Sequence, residues 1–192
     1  PPARTEAGRI AQVTALTTAK SAVFRQVAAH EKKEKYAAIE GAVVTSVANT
    51  TQSILRNYND PSIVKDGLKQ LTIDAERLAA LRQLSPEETA ELVEQTISAT
   101  QSSRIYRAIA NKVPGEAKTI FDAAMKEEQL LPGKEFDALQ SAVEKSDVDA
   151  AADAAGARAA ALYPEDPAAA AAHLRGLGLP PEVLKAAITV AD

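Results

Sequence analysis

The stretch Asn57-Tyr58-Asn59-Asp60-Pro61 separates two parts of the chain that differ in character. Before it, proline stands only at the first two positions, whereas after it proline recurs at short intervals. Proline removes a backbone hydrogen bond and clashes with the preceding helical turn, so its spacing limits helix length. The sequence therefore predicts one or two very long helices in the first third of the chain and a series of shorter helices afterwards.

The segment before this stretch has helical periodicity in its apolar residues. Residues 30–35 are polar on every face, which is typical of a helix surrounded by water or of a break. We favour a continuous helix of roughly 80 Å, with a break at Gly41 or near His30 as the alternative. A body of this size cannot cover that length, so we expect partner helices. The candidate assembly face consists of Ile10, Val13, Leu16, Phe24, Val27, Val43, Val47 and Ile54.

The end of this segment is unusually rich in hydroxyl and β-branched side chains, which are weak helix formers. Residues 45–53 contain three threonines and two serines. One interpretation is a hydroxyl-lined face that packs against other helices or faces a wet channel. The other is an exposed, marginal helix held by its apolar stripe.

Prolines and capping residues divide the rest of the chain. Asp60 is a good N-cap, and Pro61 suits the first helical position. Ser85 and Glu88 have the spacing of a capping box around Pro86. The predicted helices cover about 61–82, 86–112 and 116–129, then a helix through Val143, an alanine-rich helix from Asp147 to about 162, a short one over 168–174 and a last one from Glu182.

These elements predict an all-α protein: a long N-terminal helix followed by a compact body of short helix pairs. We expect a long helical assembly segment over 1–60, a helical body over 61–146 and alanine-rich C-terminal helices over 147–192. Met125 should face inward, and Tyr58, Tyr106 and Tyr163 should be core or junction residues. Much of the 46% hydrophobic content is alanine, which buries little area at roughly 25 cal/mol per Å², so the predicted core is thin.

Charge and composition argue against several classes of function. The net charge of -4 does not fit a nucleic-acid-binding surface, which would be basic and clustered. The absence of cysteine excludes disulfides and thiolate metal sites. There is no run of about 20 apolar residues that would form a conventional transmembrane helix. The sequence begins with two prolines and no Met, as an internal piece of a longer protein would.

Few residues are candidates for catalysis or ligand binding. His30 and His173 each stand alone on a predicted helix, which favours surface histidines over metal ligands. The glycines of residues 176–178 follow a helix rather than a strand, which favours a plain turn over a phosphate site. Adjacent glutamates at 87–88 and 127–128 lie on different helix faces and form no acid/base dyad. We therefore predict no enzyme, no cofactor, no metal site and no small-molecule substrate.

Helix junctions between Leu68 and Val143 come in a characteristic order. A Ser-Pro-Glu-Glu cap at 85–88 is followed by a small or polar helix middle at 98–103 and an Arg-Ile-x-x-x-Ile run at 104–109. A proline-led helix then places alanines around an aromatic residue, and a Leu-Pro turn closes the series: Pro114, Ala117, Phe121, Ala124, Leu131 and Pro132. This order resembles internal virion proteins of tailed phages and prophages. Leu84 stands where a Trp often precedes the cap in that family.

Such proteins, also called ejection proteins, are packaged in the capsid and released with the genome, and some are thought to help build a conduit across the host envelope. The resemblance implies a protein of the virion interior, ejected into the host cell envelope, that forms homo-oligomers and contacts other virion proteins. It also implies transient contact with phage DNA and the host envelope. Some relatives carry a transglycosylase domain, whose catalytic Glu-Ser dipeptide is absent here. There are two alternatives. The first is a helical-repeat scaffold that binds other proteins, and the second is an enzyme.

Overall fold

The computed structural model describes residues 5–191, which form seven α-helices and contain no strand. The prediction of an all-α fold with a long first helix and shorter helices packed together is confirmed. The helices are α1 (Glu6–Arg56), α2 (Pro61–Arg82), α3 (Pro86–Asn111), α4 (Glu116–Lys126), α5 (Lys134–Leu162), α6 (Pro167–Gly176) and α7 (Pro181–Ala191). Two structural units divide the chain, with Ser46 ending the first and Val47 beginning the second.

Helix α1 is continuous over 51 residues, and neither His30 nor Gly41 interrupts it. Its length is about 75 Å at a rise of about 1.5 Å per residue. The polar segment 30–35 stays helical because Glu and Lys are good helix formers and no proline is present. The first unit is the part of α1 up to Ser46, and nearly all of its side chains are exposed to solvent.

The predicted N-caps of α2 and α3 are confirmed. The Asp60 carboxylate accepts hydrogen bonds from the backbone N–H groups of Ser62 at 2.9 Å and Ile63 at 3.2 Å. The Ser85 hydroxyl accepts from the Glu88 N–H at 3.2 Å, and the Glu88 carboxylate accepts from the Ser85 N–H at 2.8 Å. The hydrogen bond from the Ser85 backbone N–H lowers the pKa of Glu88 most strongly, and the Ser85 side chain lowers it further. Each cap satisfies N–H groups that a helix start leaves without intrahelical partners.

The second unit contains three apolar clusters. One surrounds Ile54 and Leu71 at the junction of α1, α2 and α3. A second joins Tyr58 to α3, α4 and α5, with the Phe121 and Phe136 rings 5.7 Å apart. The third lies between α5, α6 and α7, and four of its six buried residues are alanines. The six are Ala152, Ala159, Ala170, Leu174, Val183 and Ala187. Small side chains let these last three helices approach closely while burying little area per residue.

Two glycines mark close approaches between helices. A Cβ atom on Gly156 of α5 would lie 2.6 Å from the Ala187 carbonyl oxygen and 2.6 Å from the Val190 Cβ of α7. A Cβ atom on Gly67 of α2 would lie 2.6 Å from Ile54 Cγ1. Glycine at each position therefore permits a helix spacing that a larger residue would not.

Several local predictions were wrong. The alanine-rich helix does not begin at Asp147, because α5 runs unbroken from Lys134 to Leu162. Helix α4 ends at Lys126 rather than near residue 129, so residues 127–128 lie in a turn. Glu128 takes a left-handed conformation there, and the turn brings Leu130 against the cluster around Phe121.

Two side chains expected inside are exposed. Met125 and Tyr106 both face solvent, because the buried faces of their helices are filled by Phe121 and Ala124 on α4 and by Ile105 and Ala108 on α3.

Candidate functional site

The structure separates the predicted assembly face into an exposed part and a buried part. Ile54 is fully buried beside Val64 and Leu71, and Val47 packs against the same cluster. Val43 is also buried. The other members of the predicted face, from Ile10 to Val27, are exposed on the first unit. The exposed members of the predicted face are therefore confined to the first half of α1.

Val23 was absent from the prediction and belongs to the exposed part. We call this surface the α1 stripe, and its members are Ile10, Val13, Leu16, Val23, Phe24 and Val27. The exposed fractions of these six side chains lie between 48% and 70%. At 3.6 residues per turn they cover an arc of about 140°. Val23 was missed because it is adjacent to Phe24 and falls off a simple three-and-four spacing, although a helical projection places it beside Leu16.

The polar groups within the α1 stripe already have partners. The Thr14 hydroxyl donates to the Ile10 carbonyl oxygen at 2.9 Å, and the Thr17 hydroxyl donates to the Val13 carbonyl oxygen at 2.8 Å. The Lys20 ammonium lies 5.7 Å from the centroid of the Phe24 ring, within the range of a cation–π contact. A second helix could cover this stripe without leaving a hydroxyl group unpaired.

The α1 stripe ends where the polar segment 30–35 begins. His30 Nδ1 lies 3.7 Å from the Glu34 carboxylate, and both side chains are exposed. The Lys32 ammonium lies 5.7 Å from the centroid of the Tyr36 ring. His30 is thus a surface histidine beside a carboxylate. The His173 ring lies 5.7 Å from that of Tyr163.

A cleft of about 880 Å³ in the second unit is a separate candidate binding surface. Helices α2, α3 and α4 line it. Its apolar lining includes Val64, Leu68 and Ile97, while Lys65 and Lys69 contribute basic groups from α2. Apolar walls with a few charged groups are typical of binding sites.

A network of hydrogen bonds beside this cleft is centred on Arg104. The Arg104 Nε donates to the Tyr58 carbonyl oxygen at 2.6 Å, and its Nη1 donates to the Gln101 side-chain oxygen at 3.3 Å. Gln101 in turn donates to the Gln129 side-chain oxygen. Burial lowers the pKa of Arg104, and the negative charge of Glu127 opposes that shift. The network links α3 to the end of α1 and to the turn after α4.

The Tyr58 hydroxyl extends this link to α4. It donates to the Glu116 carboxylate at 2.7 Å and accepts from the Asn111 amide at 2.7 Å. The Asn111 hydrogen bond lowers the pKa of Tyr58, but the Glu116 hydrogen bond and burial raise it, and the net shift is upward. The phenol therefore stays protonated near neutral pH and serves as a donor rather than a base. Its role in this arrangement is to fix the junction, as the sequence predicted for Tyr58.

Residues 5–191 contain no group of three or more His, Asp or Glu side chains placed to hold a metal ion. Within the same range, no helix is both long and apolar enough to span a membrane. Comparisons with known protein families, curated protein sequences and solved structures found no match to this chain.

Proposed function

We propose that this protein is a structural component that assembles with copies of itself through the α1 stripe. The observation that carries the proposal is the exposure of six large apolar side chains on one face of a helix. Soluble monomers rarely expose contiguous apolar patches of more than a few hundred Å². Burying a large aliphatic or aromatic side chain stabilises an assembly by about 1.5–3 kcal/mol, so the stripe favours association.

The proposed setting is the virion of a tailed phage, in which the protein would be packaged and then ejected into the host cell envelope. Support comes from the resemblance of residues 68–143 to internal virion proteins and from the all-helical architecture. In this role, oligomers together with other virion proteins form a conduit for the genome. A chain with a net charge of -4 repels DNA overall, which suits passage of DNA better than tight binding.

The experiment is light scattering over a dilution series, with helicity followed by circular dichroism. The wild-type protein should form oligomers that dissociate on dilution, with loss of helicity in the first unit. Phe24→Asp places a charge in the α1 stripe and should shift the protein to monomer. Ile73→Asp is the matched control, because Ile73 is 54% exposed but lies on α2 in the second unit. A wild-type protein that stays monomeric and fully helical at high concentration would overturn the proposal.

The conduit role has its own test. Negative-stain electron microscopy of the cross-linked oligomer should show closed rings or tubes. Particles limited to dimers or to compact clusters would count against a conduit while leaving self-assembly intact.

A second candidate function, a protein-binding scaffold, is favoured by the cleft between α2, α3 and α4. Its apolar wall suits an amphipathic helix, and Lys65 and Lys69 could pair with acidic groups on that helix, although Glu116 and Glu127 also line the cleft. Leu68→Glu should abolish capture of such a partner and leave the mass of the oligomer unchanged. The scaffold role gains if wild-type protein is monomeric and a partner is lost with this substitution.

A further inference from the structure

The α1 stripe has a nearly palindromic pattern. Ile10 and Val27 lie equally far from the point midway between residues 18 and 19, and so do Val13 and Phe24. Reversing the direction of the helix about this point therefore exchanges these four apolar residues with one another, whereas Leu16 and Val23 change places with Ser21 and Thr14. A surface with this property is complementary to itself under a two-fold rotation.

A seven-residue repeat describes the stripe. Ile10, Thr17 and Phe24 occupy the first core position of the repeat, and Val13, Lys20 and Val27 occupy the second. The repeat continues into Glu31 and Glu34, which are polar, so the apolar seam ends after Val27.

A parallel pair of helices brings identical residues together in each layer. Lys20 would then face Lys20 of the second copy, and Glu6, Glu31 and Glu34 would each face their own counterparts. Like charges brought together at an interface are destabilising. The parallel arrangement therefore has four layers in which like charges meet. Four of the six residues of the α1 stripe lie in its other layers.

An antiparallel pair brings the first core position of one helix against the second core position of the other. Ile10 then faces Val27, and Val13 faces Phe24, each twice because of the symmetry. Leu16 and Val23 flank the core on the same side and come together across the interface. Every large apolar residue of the α1 stripe acquires an apolar neighbour in this arrangement.

The central layer of the antiparallel pair places Lys20 against Thr17. The Thr17 hydroxyl is already bonded to the Val13 carbonyl oxygen, so it presents its methyl group without needing a new partner. The Lys20 stem is apolar and can lie along the seam while the ammonium remains at the edge, near the Phe24 ring that it already contacts. Lys20 is thereby accommodated without meeting a like charge. Glu6 faces Glu31 at each end of the antiparallel pair, so this arrangement has two like-charge contacts where the parallel one has four.

We propose that two copies of this chain pair through their α1 stripes in antiparallel orientation, with the two-fold axis passing beside residues 18 and 19. This inference rests on the proposed function and specifies its partner surface and geometry. It requires that the pairing be isologous, with each copy contributing the same residues.

Disulfide cross-linking tests the orientation, because the chain contains no cysteine of its own. Val13→Cys and Phe24→Cys are prepared separately, oxidised alone and oxidised as an equimolar mixture. Both positions are 63% exposed, so neither substitution removes a core side chain. The antiparallel pair should give cross-linked dimer in the mixture, where about half of the pairs bring unlike variants together, and little from either variant alone.

The outcomes separate this inference from the proposed function. Efficient cross-linking of Val13→Cys with itself would show a parallel pair, which overturns the antiparallel geometry and leaves self-assembly standing. An oligomer that gives no cross-link in any combination would overturn the α1 stripe as the contact. Monomeric behaviour of the uncross-linked wild-type protein would overturn both. Ile73→Cys serves as the control for cross-linking by random collision.

A second experiment uses the charge at the centre of the stripe. Lys20→Glu is mixed with tagged wild-type protein, and the proportion of mixed pairs is measured. A parallel pair would favour mixing strongly, because opposite charges would replace like charges. The antiparallel pair should show close to random mixing, since position 20 never faces position 20.

Discussion

The close approach of α5 and α7 at Gly156 gives a prediction whose sign is opposite to that expected from helix propensity alone. Gly156→Ala would normally stabilise a helix interior by about 1 kcal/mol. Here the added Cβ atom would lie 2.6 Å from a backbone carbonyl oxygen of Ala187 and 2.6 Å from the Val190 Cβ, whereas ordinary contacts are 3.4–4 Å. Neither atom is the end of a flexible side chain, so α7 itself must move.

The magnitude follows from these opposing effects. Overpacking of a close contact costs about 1–3 kcal/mol, and the distance here is short enough to place the effect in the upper part of that range. Subtracting the propensity gain leaves a net loss of about 1–2 kcal/mol in the free energy of unfolding. For a chain of this size, that corresponds to a fall in Tm of roughly 3–6 °C.

The assay is urea and thermal unfolding followed by circular dichroism at one protein concentration. Gly176→Ala is the matched control, because Gly176 lies in α6 of the same unit and an added Cβ atom there meets nothing within 4 Å. The control should leave stability unchanged or raise it by up to about 1 kcal/mol. If Gly156→Ala stabilised the protein as much as Gly176→Ala, the tight packing of α5 against α7 would be refuted.

Two further predictions concern the caps and the Tyr58 junction. Ser85→Ala removes the side-chain cap of α3 and should lower the free energy of unfolding by about 1 kcal/mol in urea titrations. The pKa of Glu88 is lower in the folded than in the unfolded protein. Its contribution to the free energy of unfolding is therefore present above the unfolded pKa and is lost as the pH falls through the folded pKa. Urea midpoints measured between about pH 7 and 3 should show this loss in the wild-type protein and a smaller loss in Ser85→Ala. Tyr58→Phe leaves the Glu116 carboxylate without its donor and should destabilise by about 1 kcal/mol, whereas Tyr106→Phe at an exposed position should change stability by less than about 0.5 kcal/mol. Equal effects of the two tyrosine substitutions would contradict the junction role.

The parts of the fold that depend on neighbouring residues could be predicted from the sequence. Asp60 and Ser85 cap helices through hydrogen bonds within three residues, so their types and spacing were sufficient. The continuity of α1 followed from the lack of proline in a segment rich in helix formers. The all-α class followed from the same two kinds of signal.

Other features depend on contacts between distant parts of the chain. Arg104 and Tyr58 are joined by a hydrogen bond although they are 46 residues apart in the sequence. No local sequence pattern predicts that pairing. Asp147 resembles a helix start, but Val143 before it and Val148 after it both pack within the second unit, so α5 continues through it. The periodicity that identified Ile10 to Val27 also included Val47 and Ile54, which pack within the second unit. Apolar spacing alone does not distinguish a face covered by the same chain from one left open.

The two-fold symmetry of the proposed α1 contact limits how an assembly can grow. A contact that each copy makes with itself is saturated once two copies have met, so it supplies dimers and nothing larger. A ring or tube must then alternate this contact with a second, different one. Any closed particle built in this way contains an even number of chains. Its two-fold axes make the two ends of the particle equivalent, so the particle has no polarity along its length.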